Sequence, residues 1–177
     1  MAIIVDANCL SNVFDKTCSE HEEFSPVYDW IISGKGKLVY GGTKYIEELS
    51  KLTRILRFIN LLKNFKNKVV ILDKDLVDAE QKRIEGLIED PDFDDPHIPA
   101  MVIVSQCRLL CSRDARSERF VLNKMLYPRG VKPPKYYKGK QNSKLLTDKN
   151  IPTKYKPLTK LNNDEKDALG VSPSKPE

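Results

Sequence analysis

The sequence predicts an α/β protein built on a central, mostly parallel sheet flanked by helices. Short apolar runs recur along the first two-thirds of the chain: Ala2-Ile3-Ile4-Val5, Leu38-Val39-Tyr40, Val69-Val70-Ile71-Leu72 and Leu109-Leu110-Cys111. The segments between them carry apolar residues at helical spacing, and strands separated by helices pair in parallel with both faces covered. The third observation is a break in composition. Up to Pro128 there are 18 Lys+Arg against 20 Asp+Glu, and from Arg129 onward there are 12 against 5. The formal net charge of +5 therefore belongs to the last stretch, which excludes a uniformly basic, nucleic-acid-coating protein.

Taken in order, Ala2 to Val5 reads as a buried strand, with an acid, Asp6, at its end. A helix is expected around Ser25 to Ser33, and Gly34-Lys35-Gly36 turns the chain into the second strand. Gly41-Gly42 ends that strand, and Thr43 can cap one long helix. Along it Ile46, Leu49, Leu52, Ile55, Ile59, Leu62 and Phe65 recur every three or four residues. After the third strand, Asp73 or Asp75 opens a polar helix to about Ile88. The acidic loop from Glu89 to Pro96 leads into a helix to about Gln106, and Arg116 to Leu126 is helical after the fourth strand. From Arg129, prolines and lysines with little apolar periodicity read as an extended or partly disordered arm, so a domain over 1–128 and an arm over 129–177 are expected.

Several classes fall away. The longest apolar run, Ala100-Met101-Val102-Ile103-Val104, is far too short to cross a membrane, and an acid after the first five residues argues against a signal peptide. Four cysteines (Cys9, Cys18, Cys107, Cys111) form no Cys-x-x-Cys pair, and only two histidines accompany them. Zinc-site spacing is missing, and reduced thiols in a cytoplasmic protein are expected.

In parallel sheets function gathers at the carboxyl ends of the strands. Acids stand there in four separate segments: Asp6, Glu47 or Glu48, Asp94 or Asp95, and Asp114. Adjacent helical positions point about 100° apart, so only one of Glu47 and Glu48 can face a common site. Such a cluster repels itself unless a cation sits within it or its pKa values rise. Carboxylates suit a hard ion, Mg2+ or Mn2+, and metal-assisted phosphodiester cleavage is the matching chemistry. Each acid alone has an ordinary reading as a helix cap or a solvated turn; the combination at strand ends is the signal.

These residues resemble the PIN domains. Ile4-Val5-Asp6-Ala7-Asn8 looks like that family's apolar-Asp-x-Asn start, and Glu48-Leu49 is similar to its second acid. Asp95-Pro96-His97-Ile98-Pro99-Ala100 resembles the Asp-x-x-Ile-x-Ala opening of the third, and Leu109-Leu110-Cys111-Ser112-Arg113-Asp114 the strand that ends in the fourth. The resemblance covers roughly Met1 to Leu126. It implies a Rossmann-like sheet and a metal-dependent endoribonuclease. Asp6, Glu48, Asp95 and Asp114 would be the catalytic metal ligands, and Asn8 and Ser112 would orient the carboxylates. Pro99 departs from the pattern and is expected to delay the start of its helix or make it irregular. His97 reads as a surface residue rather than a general acid, and His21 as a solvated loop residue.

In the arm, Lys132, Lys135, Lys138 and Lys140 flank Tyr136 and Tyr137, a pattern fit for phosphate contact and base stacking on single-stranded RNA. The alternative is that the arm packs on its own domain or on a second subunit of a homo-oligomer. Small size suggests, by analogy, a toxin of a toxin–antitoxin pair with a cognate antitoxin, or a phage-defence effector. The rival reading is a non-catalytic module of the same fold that binds RNA or protein.

Overall fold

A computed structural model describes residues 2–65, 68–148 and 152–171 of the chain. Five parallel strands form one sheet: β1 (Ala2–Val5), β2 (Lys37–Tyr40), β3 (Val69–Ile71), β4 (Leu109–Cys111) and β5 (Lys135–Tyr137), in the order β3-β2-β1-β4-β5. Every residue of β1, β2 and β4 is buried, as near-continuous apolar runs in a parallel sheet should be. The chain builds outward from β1 through β2 to β3, then crosses to β4 on the other side of β1. The order thus reverses between β1 and β4, the position at which parallel sheets commonly place a ligand site beyond the carboxyl ends of their strands.

The helices are α1 (Leu10–Phe14), α2 (His21–Ile32), α3 (Thr43–Ser50), α4 (Thr53–Leu62), α5 (Lys74–Glu85), α6 (His97–Ser105), α7 (Ala115–Val121) and α8 (Asn163–Ala168). Helix α2 begins earlier than its apolar pattern predicts and tolerates Pro26 inside it. The missing proline donor is replaced there, because Ser25 Oγ donates to the Glu22 carbonyl at 3.0 Å.

The single long helix expected after β2 is two helices. Leu52 leaves helical geometry (φ −99°, ψ 67°) between α3 and α4. The apolar spacing runs through the break without losing step, so periodicity alone does not reveal it. Gly42, rather than Thr43, is the N-cap of α3, with φ 83°. A Cβ there would stand 2.5 Å from Val77 Cγ1, so the position demands glycine twice over. Thr43 is instead held from outside: Asp78 of α5 accepts from its N–H at 2.7 Å and from its hydroxyl at 2.5 Å.

The segment from Arg129 does not stand apart from the body. It supplies β5, whose Tyr136 pairs with Leu110 and whose Tyr137 pairs with Cys111. Further on, Leu161 and Leu169 are buried and Asn162 and Glu165 form a capping box on α8. The predicted extended arm is corrected to this degree, and 149–151 and 172–177 of it lie outside the described residues. A three-residue strand between Pro134 and Gly139 is too short to show a period.

This segment runs beneath the amino ends of the strands. Lys37, the first residue of β2, is buried and donates to the carbonyls of Tyr155 (2.5 Å) and Pro157 (3.1 Å). Lys68, just before β3, donates to those of Ile31 (2.7 Å) and Gly34 (2.8 Å). Cys9, Cys107 and Cys111 are buried free thiols, and Cys18 is a half-buried one. No helix among the described residues is long and apolar enough to cross a membrane.

Candidate metal centre

Asp6 follows β1 at the reversal point. Its N–H donates to the Cys111 carbonyl (2.9 Å), which ties the end of β1 to the end of β4. Its carboxylate is 5% exposed and accepts from Ser112 Oγ at 2.7 Å and from the Asn8 N–H at 3.3 Å. Burial raises its pKa above the ordinary value, opposed by those two hydrogen bonds. Ser112 thus reaches Asp6 through its side chain. Asn8 contributes its backbone N–H, while its side chain is exposed.

Glu48, on α3, lies beside Asp95 and His97, whereas Glu47 lines a hollow with Thr43, Asp78 and Gln81. The His97 ring facing Glu48 holds its carboxyl below the ordinary range against the opposing effect of burial, with Lys44 and Lys51 adding. Asp95 immediately precedes the N-cap of α6, and its backbone carbonyl receives the Ile98 N–H at 3.1 Å. Burial pushes its carboxyl up to about 6; the charges of Asp6, Asp94 and Glu48 push the same way, and His97 opposes them. Its neighbour Asp94 is exposed and reaches Arg116 at 3.6 Å. Asp114 is both an N-cap and a member of the cluster: it accepts from the N–H groups of Arg116 (2.8 Å) and Ser117 (3.3 Å) at the start of α7.

The expected acids therefore meet at one edge, in two groups that share Asp95. Glu48, Asp95 and His97 each offer a donor atom within 4.8 Å of the others, as do Asp94, Asp95 and Asp114. Asp6 joins neither group at that spacing but acts on Asp95 by its charge. The donors are carboxylate oxygens and one imidazole, a set that fits a divalent ion of the Mg2+ or Mn2+ kind.

Two residues escaped the sequence reading. His97 is 1% exposed, not on the surface; its Nε2 lies 3.5 Å from Glu48 Oε2 and its Nδ1 3.9 Å from Asp95 Oδ1. Those distances are too long for formed hydrogen bonds, and neither ring nitrogen has a hydrogen-bond partner. A signal for its burial was present, because α6 is apolar all round and a helix of that kind lies inside. Tyr45 is fully buried behind the site, where its hydroxyl donates to the Val5 carbonyl at 2.5 Å and its ring centroid lies 6.4 Å from that of His97.

Other expectations change. Pro99 leaves α6 regular, because it occupies the first turn, where its missing N–H would have had no helical partner. His21 opens α2, with its Nδ1 3.0 Å from the Asn12 carbonyl oxygen. Tyr136 and Tyr137 are buried in β5, and the Tyr137 hydroxyl donates to the Glu23 carbonyl, so neither ring is free to stack on a base. Lys138 and Lys140 are exposed but pair with Glu118 and Glu22, each at 2.6 Å, while Lys132 and Lys135 project into solvent. In comparisons with known proteins, the chain matches no family model, no curated protein and no solved structure.

Proposed function

We propose that this chain is a metal-dependent endoribonuclease of the PIN type, using Mg2+ or Mn2+ at the carboxyl edge of its sheet. The observation that carries the reading is the convergence of Asp6, Glu48, Asp95 and Asp114 from four segments on the strand-order reversal, with Asp95 raised to about 6. Acids that repel one another there are stabilised by a cation. Asp95, shared by the two donor groups, would hold the ion with Glu48 on one side or with Asp94 and Asp114 on the other, and Asp6, which accepts from Ser112, would act on it by charge. A bound ion would supply an activated water and neutralise charge on the scissile phosphate. Lys44 and Arg116, at 3.7 Å from Glu48 and 3.9 Å from Asp114, give the rim cations that reduce repulsion of a phosphate backbone. The four motifs support RNA as substrate, and a toxin with its antitoxin, or a phage-defence effector, is the role suggested by analogy.

A second reading is favoured by one contact. His97 lies between Glu48 and Asp95, and the edge would then be a polar cluster belonging to the fold of a non-catalytic module that binds RNA or protein. Incubation of labelled RNA with Mn2+, with EDTA, and with Asp6→Asn and Asp95→Asn variants of verified fold decides between them. Cleavage that requires metal and is lost in both variants supports the nuclease; metal-independent cleavage or full activity in the variants removes it.

A further inference from the structure

We propose that His97 is itself a ligand of the divalent ion, so that Glu48, Asp95 and His97 form a mixed oxygen–nitrogen site. This rests on the reading above only in taking the carboxyl edge as a cation site. The imidazole is 1% exposed and both of its nitrogens lack hydrogen-bond partners, an unfavourable state for a buried polar group. The ring is directed at acids rather than at apolar side chains: Nε2 lies 3.5 Å from Glu48 and Nδ1 3.9 Å from Asp95. Two donors sharing one ion at about 2.1 Å each stand roughly 3–3.5 Å apart, which is the Glu48–His97 spacing. Placement at the first position of α6, after Pro96 and against the Tyr45 ring, restricts how far the imidazole can turn away.

The consequence is selectivity. Mg2+ favours oxygen ligands and gives up its water reluctantly, while imidazole suits first-row transition ions. His97 therefore tilts the site from Mg2+ toward Mn2+ and the later divalent ions. The neighbouring group, Asp94, Asp95 and Asp114, has oxygen donors alone and no orphaned buried atom, so it lacks this bias.

The test uses the full chain loaded with Mn2+ and examined by pulsed EPR for hyperfine coupling to a directly bound nitrogen. Coupling is expected in the wild type and in His21→Gln, and is expected to vanish in His97→Gln. Titration calorimetry should find Mn2+ bound at least about tenfold tighter than Mg2+, with His97→Gln bringing the two close together. Bound Mn2+ without nitrogen coupling, coupling that survives His97→Gln, or no Mn2+ binding to the wild type overturns the proposal. Should the variant fail to fold, the wild-type and His21→Gln spectra still decide it. Nitrogen coupling in a chain that cuts no RNA would retire the nuclease reading and keep this ligand, and cleavage without coupling would do the reverse.

Discussion

The two edges of the sheet hold opposite charges and treat them in opposite ways. At the amino edge, Lys37 and Lys68 are buried cations whose ammonium groups are each met by two backbone carbonyls, and the C-terminal segment closes over Lys37. At the carboxyl edge, acids from four segments crowd together, Asp95 is driven to about 6, and a buried histidine is left with no hydrogen bond. Those carbonyls offset only part of the cost of burying the two ammonium groups, since burial lowers the pKa of both lysines. At the carboxyl edge the like charges of neighbouring acids add to the effect of burial, a cost that a bound cation would offset.

The comparison breaks most sharply if the amino edge is opened. Removing residues 152–177 strips the carbonyls from Lys37 and takes away the buried Leu161 and Leu169, and should cost roughly 3–5 kcal/mol in urea unfolding from the lost apolar burial. An unchanged midpoint would show that this edge is not a stabilising clasp. At the other edge, Asp95→Asn should lower Mn2+-dependent cleavage by about 100-fold or more while leaving the circular dichroism of the metal-free chain intact.

A smaller effect separates the edges by pH. Burial lowers the Lys68 pKa to about 8 from 10.5, so between those values the unfolded chain binds more protons than the folded one. Lys68 therefore adds stability as pH rises through that window, and the Lys68→Met variant should lack this slope while losing about 1–3 kcal/mol at neutral pH from two orphaned carbonyls. Parallel urea titrations at pH 7.5 and 9.5 measure the difference between the two proteins. Ser112→Ala, which takes from Asp6 its 2.7 Å donor, should weaken metal binding about tenfold, read by calorimetry. The smallest effect is expected for Lys132→Ala with Lys135→Ala: if the rim rather than the tail meets RNA, affinity should change less than about twofold at each salt concentration tested.

The core of the fold was legible because it rests on short-range chemistry. Four of the five strands are apolar runs that announce themselves, and Asp6 and Asp114 can be placed at strand ends by counting. Glu47 and Glu48 could not be separated that way. Their difference depends on which way α3 lies on the sheet, and that direction is set by Gly42 against Val77 and by Asp78 holding Thr43.

By itself, then, the sequence determined the parallel α/β class, the order of the acids and the chemistry they could support, since strand patterns and carboxylate charge are local properties. Only the tertiary structure decided that a lysine- and proline-rich segment becomes the fifth strand and a strap under the sheet, because Tyr136, Leu161 and Leu169 find their partners far away in the chain. It also decided that His97 belongs between Glu48 and Asp95. A side chain's neighbours on other elements follow from packing, and no spacing along the chain encodes them.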